Sequence, residues 1–205
     1  MRPSRSRWAT LALLLGAALP AAAMEPILAG RLPAELKPFV EPGTRAIFVA
    51  SADLNGDRRG DYVLVLEKQK QRESDPDIEE GQRPLLLVIR QADGSLKLQK
   101  RSDRVVYCSS CGGMMGDPID AIDVGPGRFK VSHYGGSAWR WSNAYQFAYS
   151  RRDDTWQLVR VDETTFHAGD PDRTTKKKVL VPPRHYGKID IADFDPEHFL
   201  RPAGK

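Results

Sequence analysis

The chain has 205 residues, 40% hydrophobic and 28% charged, which is enough for one globular domain or two small ones and too polar for a protein that crosses a membrane many times. Its formal net charge is +4, but Arg2, Arg5 and Arg7 sit in a leader without acids. Subtracting these three from the 31 Lys and Arg leaves 28 against 27 Asp and Glu. So even a balance removes the electrostatic case for nucleic-acid binding, and no nucleic-acid partner is expected.

The three arginines precede an apolar run, Ala9 to Leu19, and the small residues Pro20-Ala21-Ala22-Ala23. This is the pattern of a secretory signal peptide over residues 1–23, with cleavage before Met24. The alternative, a membrane anchor, needs roughly 20 apolar residues. No later run approaches that length, so a periplasmic or secreted protein with no membrane span after cleavage is expected. Residues 24–44 carry Pro26, Pro33, Pro38 and Pro42 and read as an extended lead-in with at most one helical turn around Ala34 to Phe39. A single β-rich domain is expected over 45–205.

Ala46 to Ala50 and Tyr62 to Glu67 read as strands. Between them, Asp53-Leu-Asn-Gly-Asp-Arg-Arg-Gly-Asp61 places side-chain oxygens at positions 1, 3, 5 and 9, with the Arg59 carbonyl available at position 7. Calcium takes six to eight hard oxygen ligands, and this alternation lets a tight loop aim Asp53, Asn55, Asp57, Arg59 and Asp61 at one centre. The competing reading is an Asn-Gly surface turn with incidental acids. An EF-hand is excluded, because its twelfth position should be Glu and here is Leu64, and the flanks are strands. The stretch from Phe48 to Val65 resembles one FG-GAP or VCBS-type repeat, in which such a loop between two strands binds calcium. The resemblance implies a structural Ca2+ on Asp53, Asn55, Asp57, Asp61 and the Arg59 carbonyl. It covers about 20 residues and departs from the pattern at Arg58, where Gly is usual, which implies a strained turn and a lower affinity. No second copy is evident, so a full propeller is not implied.

Residues 68–83 carry Glu73, Asp75, Asp77, Glu79 and Glu80 without apolar spacing and read as a mobile acidic loop. Leu85 to Arg90 and Leu96 to Lys100 form a hairpin about Asp93-Gly94. Val105 to Tyr107 then enters Cys108-Ser-Ser-Cys111-Gly-Gly, which holds both cysteines of the chain. In an exported protein the favoured reading is a structural Cys108–Cys111 disulfide pinning a tight turn. A thiol oxidoreductase pair, which should open a helix, and half of a zinc site, which lacks two further ligands, remain open. His133, His167, His185 and His198 show no paired spacing.

Ile119 to Val124 and Arg128 to Tyr134 make a second hairpin, broken at Gly135-Gly136-Ser137. Trp139 to Ser150 and Thr155 to Val161 are two more strands. Tyr134, Trp139, Trp141 and Tyr145 form a candidate binding surface, since Trp139 and Trp141, two apart, share one face of a strand. The competing reading places these rings in the core. A hydrolase using Ser137 and His133 is the other alternative, although Gly-x-Ser-x-Gly and its strand-to-helix elbow are missing. The tail offers segments 176–181, 188–191 and 193–199, the last a candidate short helix, and Lys176-Lys177-Lys178 suits a strand edge.

Turn signals every eight to twelve residues predict an all-β fold, antiparallel hairpins forming a single sandwich- or partial-propeller-like domain with little helix. The function expected is that of a calcium-stabilised, non-enzymatic binding module in the bacterial envelope, recognising a protein or glycan through the aromatic surface and the Gly112–Pro118 loop.

Overall fold

β-Branched and aromatic runs separated by Gly, Asn and Asp turns fold here as hairpins. The computed structural model describes residues 32–68 and 83–200. Within them, β1 (Thr44–Ala52), β2 (Asp61–Lys68), β3 (Leu85–Arg90) and β4 (Leu96–Ser102) form one sheet in that order. A second sheet is built from β5 (Ile119–Gly125), β6 (Arg128–Gly136), β7 (Trp139–Ser150), β8 (Thr155–His167) and β9 (Lys176–Leu180). All neighbours are antiparallel. The expected all-β, hairpin-built sandwich is the fold. The signal peptide expected over residues 1–23, residues 24–31 and positions 69–82 of the expected acidic loop lie outside the described residues.

Val63, Val65, Leu85, Leu87 and Ile89 from the first sheet meet Phe129, Val131, Tyr145, Phe147, Leu158 and Val161 from the second in one buried cluster. Each such side chain removed from water stabilises the fold by about 1.5–3 kcal/mol. The first sheet is also covered on its far face. There Ala46, Val49, Leu64, Leu66, Leu86 and Val88 pack with Leu36 of a 3-10 helix at Ala34–Phe39. A bulge at Ile47 brings Ala46 and Val49, three positions apart, onto that same face. Burial on both faces explains why β2 and β3 read as continuous apolar runs rather than alternating ones.

The strands differ in length, and this creates two unlike ends. β7 and β8 have 12 and 13 residues against 8 and 6 for β2 and β3, or about 40 Å against about 20–26 Å at a strand rise of ~3.3 Å. The second sheet therefore overhangs the first, and residues 103–118 pack beneath the overhang. Tyr107 stacks on His133 at a centroid distance of 4.0 Å, and Gly136 N–H donates to Gly112 O at 2.8 Å.

Some sequence expectations change. β6 runs on through Gly135 and Gly136, which pair with Trp141 and Arg140, so the break is confined to the turn at Ser137. β8 extends to His167 because its polar half, Asp162 to Thr165, pairs with β9. Residues 188–191 form no strand and make one isolated bridge, Asp190 to Gln157. Of two one-turn helices, α1 (Pro171–Thr174), capped by Asp170, lies between β8 and β9, and α2 (Glu197–Leu200) follows the last strand. No helix among the described residues is long and apolar enough to cross a membrane.

Candidate functional site

The β1–β2 loop occupies one end of the sandwich, and its own polar groups wind it. Asp53 Oδ1 accepts from the N–H groups of Gly56 (2.7 Å) and Asp57 (3.1 Å), and its Oδ2 accepts from Arg58 N–H (2.8 Å). Asn55 Oδ1 accepts from Asp57 N–H at 3.0 Å, and Asp57 Oδ1 from Arg59 N–H at 2.9 Å. To close the loop, Arg58 adopts φ = 68°. This is the left-handed region, which disfavours side chains with a Cβ, so the turn is strained at Arg58 as the sequence leads one to expect.

Asp61 forms the floor. It is fully buried, and its oxygens accept from Leu54 N–H at 2.8 Å and Arg90 N–H at 2.9 Å. Burial raises its pKa above the usual carboxylate value, the charges of Asp57 and Asp53 add to the rise, and the two N–H bonds offset part of it. Burial pushes Asp57 upward as well, but bonds from Asn55 and Arg59 outweigh this and leave it lowered. One carboxylate oxygen from each of Asp53, Asp57 and Asp61 lies within 4.8 Å of the other two. Every donor is a hard oxygen; Asp53 Oδ1 and Asp57 Oδ2 each accept two bonds already, whereas Asp53 Oδ2, Asp57 Oδ1 and both Asp61 oxygens accept one N–H each and keep lone-pair capacity. The residues present therefore fit a cation such as Ca2+.

Several residues that shape this end carried no local signal. Arg90 supplies the N–H to Asp61, its Nε donates to Gly60 O at 3.2 Å, and its carbonyl accepts from Arg59 Nε at 3.1 Å. Trp156 Nε1 donates to Leu54 O at 3.0 Å, and Gly127 N–H to Asp53 O at 2.8 Å. The Arg59 side chain, expected only to lend its carbonyl, lies on Asp57 with Nη2 2.7 Å from Oδ2. A polar cleft of about 150 Å³ opens beside the loop, lined by Asn55, Asp57, Arg59, Gln91, Gln99 and Asp154 among others.

No protein family, curated protein or solved structure matches this chain.

The opposite end holds the other candidates. The four aromatics do not form one surface. Tyr145 is fully buried, its hydroxyl bonded to that of Tyr107, so it belongs to the core. Tyr134 opposes Ser142 on β7 while Trp141 opposes Gly135, which puts Tyr134 on the other side of the sheet. Trp141 is half-buried against Tyr107. Trp139 alone is largely exposed, at 57%, edge-on to His167.

Cys108 and Cys111 are bonded to each other, S–S 2.06 Å, in a series of turns that opens no helix. His133 has no exposed surface, and its Nε2 accepts from Tyr107 N–H at 3.2 Å. Burial, with Arg83 nearby, lowers its pKa to about 4. Ser137 is exposed in the next turn and shares no hydrogen bond with it, so the structure does not assemble the nucleophile and base that the hydrolase alternative requires.

Proposed function

We propose that this is an exported β domain, stiffened by calcium, that acts as a non-enzymatic binding module in the bacterial envelope. The supporting observation is the convergence of Asp53, Asp57 and Asp61 on one point above a buried floor. Ionised Asp61 is disfavoured by burial and by its neighbours, and a divalent cation relieves both costs. The Asn55 amide oxygen and Arg59 carbonyl complete the ligand set, as in the FG-GAP or VCBS-type loop the sequence resembles. When bound, the ion supplies cross-linking charge. The chain's own residues hold the site in place, with Arg90 and Trp156 fixing its base to both sheets.

The recognition surface in this reading is the overhanging end, where exposed Trp139 and the Gly112–Pro118 loop meet through the Gly113–Gly136 bridge. An exposed indole beside an imidazole suits stacking on a sugar ring or an apolar side chain of an envelope partner. The separation of Ser137 from buried His133 favours binding over hydrolysis.

Thermal melting with calcium and with chelator tests the metal. At a calcium concentration 100 times Kd the stabilisation is about 2.7 kcal/mol, or a Tm rise of about 5–11 °C for a chain of this size. Asp61→Asn keeps one accepting oxygen and removes the buried charge, so it should fold and lose the calcium response. Equal melting of the native protein in calcium and chelator would refute the proposal.

A further inference from the structure

Sulfur is concentrated in one place in this chain. Its methionines are Met1, Met24, Met114 and Met115, and its cysteines Cys108 and Cys111, so among the described residues every sulfur atom lies between positions 108 and 115. Neither core cluster contains any, although cores are where Met and Cys ordinarily reside. Met114 is 83% exposed and Met115 43%; Cys111 is exposed and Cys108 half-buried.

The loop that carries them is tightly wound. Cys111 N–H donates to Cys108 O (3.1 Å), Met115 N–H to Gly112 O (3.3 Å), Gly116 N–H to Gly113 O (3.1 Å) and Gly112 N–H to Gly116 O (3.0 Å). A Cβ at Gly112 would lie 2.2 Å from Gly116 O, so only glycine permits this closure. Bonds outside the cysteine pair anchor the base: Gly136 N–H to Gly112 O and Tyr134 N–H to Pro118 O, both 2.8 Å, and Asp117 held by Arg83. The loop is thus tethered to β6 whether or not the cysteines are joined.

We propose that Cys108, Cys111, Met114 and Met115 form a Cu(I) site that opens when the disulfide is reduced. Thiolate and thioether donors select soft ions, Cu(I) foremost, over the hard cations suited to the Asp53–Asp61 end. The reductant is a dithiol. Its thiolate attacks the exposed Cys111 sulfur, the mixed disulfide is resolved by its second thiol, and the dithiol leaves as a cyclic disulfide. Two electrons and two protons pass to the protein, giving two thiols. On binding Cu(I) these release two protons to solvent and bind as thiolates, with the thioethers completing the shell. The site is independent of the calcium reading and lies at the other end of the sandwich.

The test is anaerobic competition between the full chain and a chromogenic Cu(I) chelator. The protein is first reduced with a dithiol and freed of it by gel filtration. Reduced protein should keep its far-UV circular dichroism and take one Cu(I) per chain. The oxidised protein, and the reduced M114L/M115L variant, should each bind at least about tenfold more weakly, a difference of ~1.4 kcal/mol. Zn2+ affinity of the reduced protein should not change in M114L/M115L, because thioethers are poor zinc ligands. Copper left with the chelator, native-like affinity in M114L/M115L, or unfolding on reduction would each overturn the proposal.

Discussion

Arg83→Ala should be among the most destabilising single changes outside the hydrophobic core. The guanidinium is only 3% exposed and joins β2 to the loop that precedes β5. Its Nε donates to Glu67 Oε1 at 2.8 Å and Nη2 to the same carboxylate, while Nη1 and Nη2 donate to Asp117 Oδ1 and Oδ2 at 2.7 and 2.6 Å. Breaking a buried ion pair by removing one partner costs about 3–5 kcal/mol. Here the cost is reduced, because Asp117 is 49% exposed and can rehydrate, and Glu67 keeps Arg45 at 2.7 Å. About 2–3 kcal/mol remains, a Tm fall of about 4–12 °C. Urea unfolding should show a lower midpoint with an unchanged slope. Arg83→Lys should recover less than half, since a point charge cannot make both forked contacts. A loss below about 0.5 kcal/mol in Arg83→Ala, the range of ordinary surface changes, would show that the buried guanidinium does not hold Glu67 and Asp117 to any stabilising effect.

The same cluster sets the acid response. Burial pushes Glu67 and Asp117 upward, but their bonds to arginine outweigh it and leave both lowered in the folded state. Their stabilisation is therefore complete above the unfolded carboxylate values near pH 4 and lost as pH falls through the lower folded values; urea midpoints from pH 7 to 2.5 should drop below about pH 4, and less steeply in Arg83→Ala. Asp61, raised in the folded state, acts in the opposite sense: without calcium it should add a gentle loss of stability as pH rises from about 4 through its folded value, absent in Asp61→Asn. Arg59→Ala frees Asp57 from the guanidinium that now holds it and should tighten calcium binding several-fold by calorimetry. Gly136→Ala should leave little folded protein by circular dichroism, because Gly136 has φ = 111° and a Cβ there would lie 2.1 Å from Trp139 O.

Much of the fold was legible because period-2 patterns and turn residues are local. β3 and β7 begin and end where the sequence places them, at Leu85–Arg90 and Trp139–Ser150. The clustering of Asp53, Asp57 and Asp61 was legible for the same reason, since their spacing and their convergence arise within nine residues. What escaped is long-range. Gly135 and Gly136 read as a break, yet backbone pairing to β7 and the close approach of Gly112 make them strand. Asp162 to Thr165 lack a strand's apolar face because β8 there runs past the first sheet. The two tryptophans do share a side, but the register that turns Tyr134 away from them exists only once β6 and β7 are paired. Arg90 reaches Asp61 across 29 positions, a contact no local motif announces.

Calorimetric titration of calcium into the purified, chelator-stripped protein is the most direct test of the central claim. Saturable binding of one ion per chain is expected, with affinity reduced by the strained Arg58. No heat of binding up to millimolar calcium, from protein shown to be folded, would contradict it and leave Asp53 to Asp61 as a self-bonded surface loop.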